Sequence, residues 1–339
     1  MRRYFVMFLL VLMGYTVSQE AYASGLCCQL STGVQESLLG VASPKTEEFS
    51  FQLTYSFTLM DKFKEGGSDR TLSDLQNKGT YTLLPNHMEM IKETLTTAYG
   101  FTPNFTAFIS IPHVKNTMNM TMGMGMGTAK QWSEQPMEPV ENIGDITAMG
   151  LYRIYTNDDK LPTDTITLGA GIKTPTGNYT ERGSSGRFIH AHMQTGTGSW
   201  DPIFSLMYAR MMSPFLIQAD VTYQLSNRNP EGYKFGDSLS LNALGKFAIS
   251  SDFNLTSSLT YLHLNKADDK DGKYTNLKSL MDDPANTGGD SIWFSPGVQA
   301  LPTKDSMIDI KVQIPVWERV NGTQLVSRYR ILLGLSYNF

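Results

Sequence analysis

The sequence predicts an all-β fold, a transmembrane antiparallel β-barrel of about 12 strands behind a cleaved N-terminal signal peptide. Three observations carry that reading. Runs of roughly 10 to 14 residues alternate apolar and polar side chains, longer than the ~5 to 6 residues usual in globular sheets and long enough to cross a bilayer at a tilt. The N-terminus has the layout of an export signal, and no later stretch of roughly 20 apolar residues offers a helical span. The chain also ends in mid-pattern, on "LLGLSYNF" and Phe339.

The elements follow in order. In "MRRYFVMFLLVLMGYTVSQEAYA", Arg2 and Arg3 precede an apolar run from Tyr4 to Met13, and Ala21 and Ala23 form the small-residue site that places cleavage after Ala23. Residues 1–23 are thus read as signal peptide and residues 24–48 as a periplasmic segment. In that segment Val34, Leu38, Leu39 and Val41 lie at near-helical spacing, as for a short helix, and a disordered tail is the alternative. The only cysteines, Cys27 and Cys28, are adjacent, a spacing that strains a mutual disulfide. They are open to a soft metal, to another chain, or to no role.

The barrel is expected over 49–339. Its strands are expected near 49–60, 87–99, 104–115, 144–157, 164–175, 198–211, 214–227, 236–250, 253–266, 289–301, 305–318 and 325–339. "FSFQLTYSFTL" is among the clearest, with Phe49, Phe51, Leu53, Tyr55, Phe57 and Leu59 on one face and Gln52, Thr54, Ser56 and Thr58 on the other. "MEMIKETLTTAY" alternates poorly, because Glu89 and Glu93 share a face with Ile91 and Leu95. Short turns such as "MSP" and "LPTKD" belong on the periplasmic side. Longer loops at 61–86, 116–143, 176–197, 228–235, 267–288 and 319–324 belong outside. With an even strand number both ends fall in the periplasm, and the last strand pairs with the first, because a lipid-facing edge would leave backbone groups unpaired. Tyr337 and Phe339 then sit in a periplasmic aromatic girdle.

Composition narrows the chemistry. The 28 basic and 32 acidic residues nearly balance, which gives no reason to expect nucleic acid as a partner. "GIKTPTGNY" and "GTGSWDP" lack the Lys and Ser or Thr placement of a phosphate loop. Of the five histidines, His87, His113, His190 and His192 are expected in loops or near strand ends, and His263 lies on a strand without a nucleophile motif, so no enzyme is expected.

Charge within a strand is costly on the lipid face, about 2 to 4 kcal/mol for Arg or Lys at mid-membrane, so Arg153, Lys173, Asp220, Lys246, Asp309, Lys311, Arg328 and Arg330 are expected to line the pore. Both signs occur, which fits either a polar lumen or internal ion pairs that plug it. In the expected loop "NTMNMTMGMGMG", Met118, Met120, Met122, Met124 and Met126 recur at every second residue. If extended they share one face, and thioethers select Cu(I) or Ag(I); the alternatives are a flexible loop packing on the barrel mouth or contact with an apolar solute. His190 and His192 with Met193 have spacing for a weak metal site but are expected to be simply exposed, and Trp200, Trp293 and Trp317 to lie at the rim.

Read together, "TTAYGFTPNFTAFISIPHV", "IGDITAMGLYRIY", "GIKTPTGNY", "GTGSWDPIFSLMYAR", "YKFGDSLSLN", "SPGVQALPTKD" and "IPVWERVNGTQLVSRYRILLGLSYNF" resemble the transporter-like outer-membrane proteins named for the meta-cleavage pathway of phenol degradation, over about 49–339. The resemblance implies an integral outer-membrane channel or transporter for a small solute, surrounded by outer-membrane lipid. The terminal Tyr337 and Phe339 likewise resemble the signal that such proteins present to the barrel-assembly machinery. The methionine-rich loop departs from the family, and the alternative is a binding or structural barrel that captures a soft metal.

Overall fold

A computed structural model describes residues 46–125, 130–158, 163–183 and 186–339. The expected signal peptide, Cys27, Cys28, the proposed helix in 24–48 and Met126 lie outside the described residues.

Among the described residues 12 long antiparallel strands close into a barrel. They are β1 (Phe49–Glu65), β2 (Leu83–Thr102), β3 (Phe105–Met124), β4 (Thr147–Thr156), β5 (Asp164–Lys173) and β6 (Asp201–Met212). The second half comprises β7 (Phe215–Gln224), β8 (Ser238–Ala248), β9 (Phe253–Leu264), β10 (Gly289–Thr303), β11 (Ser306–Val320) and β12 (Thr323–Asn338). Each pairs with its sequence neighbour, and β1 pairs with β12 from Ser50 opposite Asn338 to Glu65 opposite Thr323. Among the described residues the 12 long strands form a closed ring, which answers the requirement set by the alternating C-terminal run.

Burial is inverted relative to a water-soluble sheet. Gln52, Thr94, Gln218, Asp220, Asn254, Gln299 and Gln313 are buried, whereas Leu53, Phe204, Ile217, Leu259, Ile310 and Leu333 are exposed. The buried row faces the lumen and the exposed row faces lipid, so the chain is an integral outer-membrane protein. At the periplasmic rim the aromatic rings form a near-continuous band. Phe49 lies 4.5 Å from Tyr99, Tyr99 4.8 Å from Phe101, and Phe339 5.4 Å from Phe51 and 4.6 Å from Tyr337. The Phe339 backbone N–H donates to the Phe49 carbonyl at 2.8 Å.

This face gives a direct check. Leu333 sits between Tyr55 and Ile310 in the outward row, well inside the girdles. Leu333→Lys is expected to destabilise the barrel by ~2 to 4 kcal/mol in reversible unfolding from lipid vesicles. Lys at the buried Gln313 position next door would not carry that lipid-transfer penalty.

Two departures from the expected boundaries matter. First, β3 runs to Met124, so Met118, Met120, Met122 and Met124 lie on the wall and not in a loop beginning at 116. The reason is pairing on both edges: β2 reaches Met122 from one side, and the short strands Gln131–Pro136 and Val140–Ile143 continue the ladder on the other. Second, the expected loop 319–324 is a two-residue turn, Asn321–Gly322. Gly322 has φ +58°, and a Cβ there would meet Asn286 Oδ1 at 2.2 Å.

The weak alternation of β2 also has a physical source. Its outward face carries polar pairs, Glu93 with His113 of β3 at 3.1 Å and His87 with Glu89 at 3.1 Å, toward the extracellular end. Its inward face mixes Met88, Met90 and Lys92 with Thr94 and Thr96.

Candidate functional site

The site is the lumen, and its dominant feature is a loop that folds into it. The β5–β6 connection leaves the wall at Thr174 and returns at Asp201, and every residue from Ala191 to Ser199 is buried. Its base is a hydrogen-bonded knot around Asp145. This carboxylate accepts from Gly177 N–H at 3.0 Å, Thr197 N–H at 2.8 Å and the Thr197 hydroxyl at 2.7 Å. Lys173 Nζ lies 2.7 Å from Asp201 Oδ2 and 3.6 Å from Asp145 Oδ2, with both carboxylates fully buried. Burial pushes the Asp145 carboxyl above its ordinary range, while Lys173 and the Thr197 donors pull it back.

The two arms of the loop run close together. A Cβ on Gly196 would lie 2.3 Å from the Gly177 carbonyl oxygen, so only glycine lets them approach. Deeper in the loop, the Gln194 amide clasps both arms by accepting from Glu181 N–H at 2.9 Å and donating to Glu181 O at 3.0 Å.

Other extracellular loops close over the plug. Tyr274 stacks on Phe188 at 4.8 Å and meets Tyr233 edge-on at 5.2 Å, while Phe235, Ala191 and Ala267 fill the same cluster. Burial drives both phenols far above their usual range, so they remain protonated donors; Tyr274 donates to the Tyr179 carbonyl. His190 of the plug pairs with Asp282 of the β9–β10 loop, and His192 is 5% exposed. The expectation that both histidines are exposed is therefore corrected: the loop that carries them turns inward, where its apolar residues are covered.

Beneath the plug is an apolar cluster. Met60, Met88, Met90, Val114, Met118, Met120, Val140, Met193, Leu262, Leu264, Trp293, Val320 and Val326 form one buried cluster. Six of these 13 are methionines, which makes thioether the main chemistry of the cluster. The sheet register explains their meeting, since Met60 lies opposite Met88 and Met88 opposite Met118 across three adjacent strands. Met193 reaches them from the plug. Trp293, expected at the rim, is fully buried here, whereas Trp200 and Trp317 are exposed as expected for rim residues.

One register step toward the periplasm, the lining changes to cations and amides. Arg330 is fully buried, donates from Nε to Thr58 Oγ1 at 2.9 Å and from Nη1 to Gln313 Oε1 at 3.1 Å, and lies 5.6 Å from the Trp293 ring. Lys92 is 4% exposed on β2. Lower still, Lys311 pairs with Asp309 at 3.0 Å, and Asp220 accepts from Asn242 at 3.0 Å and Gln218 at 3.3 Å. Among the described residues Asp220 Oδ2, Gln224 Oε1, Gln299 Oε1 and Asp309 Oδ1 are buried without a hydrogen-bond partner, a polar track along β7 to β11 suited to water. The opposite wall carries a second apolar patch of Ala98, Phe108, Met149, Leu151, Ile203 and Met207.

Of the eight charges expected to line the pore, Lys173, Asp220, Asp309, Lys311 and Arg330 are buried in the interior, and Arg153 and Lys246 are half-buried near the periplasmic end. Arg328 departs from the expectation. It occupies a bulge where Met60 pairs with Ser327 and Leu59 with Tyr329, is half exposed, and pairs with Asp61 at 2.8 Å on the outside. Sequence reasoning missed the interior methionines of β1 and β2, Lys92 and Asp145. Met88, Met90 and Lys92 shared one parity in "MEMIKET", and that was the available signal. Among the described residues no group of three or more His, Cys, Asp or Glu side chains is placed to hold a metal ion.

Comparison with known proteins agrees with this architecture. An outer membrane channel from Pseudomonas putida F1 is similar in fold, with a TM-score of 0.59 at 12% identity over 90% of this chain and 98% of that one. The P. putida toluene transporter TodX aligns with a TM-score of 0.46 at 10% identity, over 89% of this chain and 92% of that one. A search of curated proteins gives no match. The family model described as "Putative MetA-pathway of phenol degradation" matches residues 61–325, most of the barrel, and the chain belongs to that family.

Proposed function

We propose that the protein is a passive, non-enzymatic outer-membrane channel for a small, largely apolar solute, held closed by the β5–β6 loop. The observation that carries this reading is a buried cluster of apolar side chains rich in methionine, set inside the barrel next to polar lumen residues and in contact with the plug through Met193. Purely structural filling would be served by ion pairs and hydrogen bonds, as it is around Asp145. A soft apolar interior under a removable cover instead suits a guest that displaces the cover, because unbranched thioethers adapt to varied shapes. Water and polar groups along β7 to β11 then continue the route toward the periplasm. The similar fold of a protein described as an outer membrane channel is in line with this reading.

Uptake by cells with and without the protein tests it, using a panel of small aromatics, fatty acids and copper. Faster entry of apolar solutes is expected. Equal uptake of every panel member would sink the channel reading. The copper arm addresses soft-metal capture, whose donors would now be the clustered Met60, Met88, Met90, Met118, Met120 and Met193 instead of a loop. Lys92 and Arg330 immediately below disfavour it, since a bound cation would meet like charge in a medium of low dielectric.

A further inference from the structure

We propose that the outer wall binds a phosphorylated glycolipid of the outer leaflet, with one acyl chain lying in a groove across β6 to β10 and a phosphate received by Arg319 and Lys266. The site is on the lipid-facing surface, so it stands apart from any route through the lumen.

The groove is a concavity of about 470 Å³ whose sides include Leu206, Val221, Leu241 and Leu259. All four belong to the exposed, outward row. Its floor is low because two alanines meet there. Ala219 lies opposite Ala243, between Tyr208 on β6 and Leu259 on β9. The volume is within the range of pockets that hold small organic ligands. Lipid tails are as apolar as the wall, so a chain is held in such a groove by fit and not by expulsion of water. Selectivity must then come from the head of the lipid.

The groups that would meet the head lie one row toward the extracellular end. Tyr261, which lines the groove, donates its hydroxyl to Asp290 Oδ1 at 2.6 Å, and His263 Nδ1 lies 2.8 Å from the same oxygen. Arg319 stands opposite Asp290 in register, one residue from the end of β11, and Trp317 stands opposite Ile292 of the groove wall. Lys266 follows the end of β9 by two residues, and Lys266, Trp317 and Arg319 are all exposed. Asp290 is therefore answered by His263 and Tyr261, whereas the side chains of Arg319 and Lys266 enter no ion pair or hydrogen bond among the described residues. An indole at this level suits the membrane interface, and a guanidinium binds phosphate through paired donors. Two cations without a carboxylate partner, set above an apolar groove, match an anionic head carrying acyl chains. A zwitterionic phospholipid matches them less well, because its own ammonium offsets the phosphate.

The test titrates the delipidated full chain in detergent with lipid A, with lipid A stripped of its phosphates, and with phosphatidylethanolamine, counting bound lipid by native mass spectrometry. Lipid A is expected to bind about tenfold more tightly than either of the others. Arg319→Gln with Lys266→Gln should lower its affinity to that of the stripped form, whose own binding is retained and shows that the wall is folded. Should that variant misfold, Arg319→Gln alone must still narrow the ratio. Ala219→Leu with Ala243→Leu fills the groove from outward positions that tolerate leucine, and should weaken lipid A and the stripped form alike. Equal binding of the three lipids, or lipid A binding unmoved by either pair of substitutions, would overturn the assignment. So would dimers that the leucine pair dissociates, since the groove would then belong to a second copy of the chain.

Discussion

Excising residues 179–194 and joining Asn178 to Thr195 through two glycines is expected to convert a closed barrel into a steadily conducting one in planar bilayers. The design follows from the hydrogen bonds at the loop base. The Asn178 carbonyl already accepts from Gly196 N–H at 2.7 Å and from the Thr195 hydroxyl at 2.8 Å, so the two cut ends are neighbours. Asp145 keeps all three of its donors, on Gly177 and Thr197, and the wall between β5 and β6 is undisturbed. What is lost is Met193, His190, His192 and Gln194, the part of the loop that fills the mouth. Lid residues such as Tyr233 and Tyr274 lose Phe188 and loosen with it. The native chain should show little or no current under the same conditions. Indistinguishable currents from the two proteins would mean that the loop is not the barrier.

Much of this architecture was legible because lipid imposes period two on every strand. "FSFQLTYSFTL" and "IQADVTYQ" could be placed with their facing, since each outward residue is apolar and each inward one polar. Closure was legible too, because an alternating final strand needs a partner along its whole length. The failures share a cause. Where the lumen itself is apolar, the contrast between faces disappears: Met88 and Met90 fell at the start of the poorly alternating strand expected over 87–99, and Met118 and Met120 in an expected loop, when all four meet in one interior cluster. The outward Glu89 and Glu93 weakened the pattern further by placing charge where lipid-facing residues were expected. The plug was illegible for another reason. It is held by backbone donors converging on Asp145 from residues 177 and 197, contacts that no local period encodes.

Replacing Lys173 by methionine should cost about 3 to 5 kcal/mol of stability near neutral pH, the range for removing one partner from a buried ion pair. Its ammonium is the cation between Asp145 and Asp201, at 3.6 Å and 2.7 Å, and methionine keeps the stem while leaving two buried carboxylates facing each other. Repulsion of this kind acts on the loop base, so partial opening of the plug should accompany the destabilisation. The pH dependence separates this from simple loss of packing. Burial already raises the Asp145 carboxyl in the folded chain, and Lys173 is the main influence that lowers it, so the substitution raises it further. A carboxyl whose folded value lies above its unfolded value, about 3.9, stabilises the fold below that value and loses the contribution as pH rises. The deficit of Lys173→Met should therefore be smallest near pH 4 and grow as pH climbs through the raised Asp145 value. Unfolding midpoints for both proteins across that range supply the measurement, and a deficit of constant size would show that Lys173 contributes by its methylene stem instead of its charge.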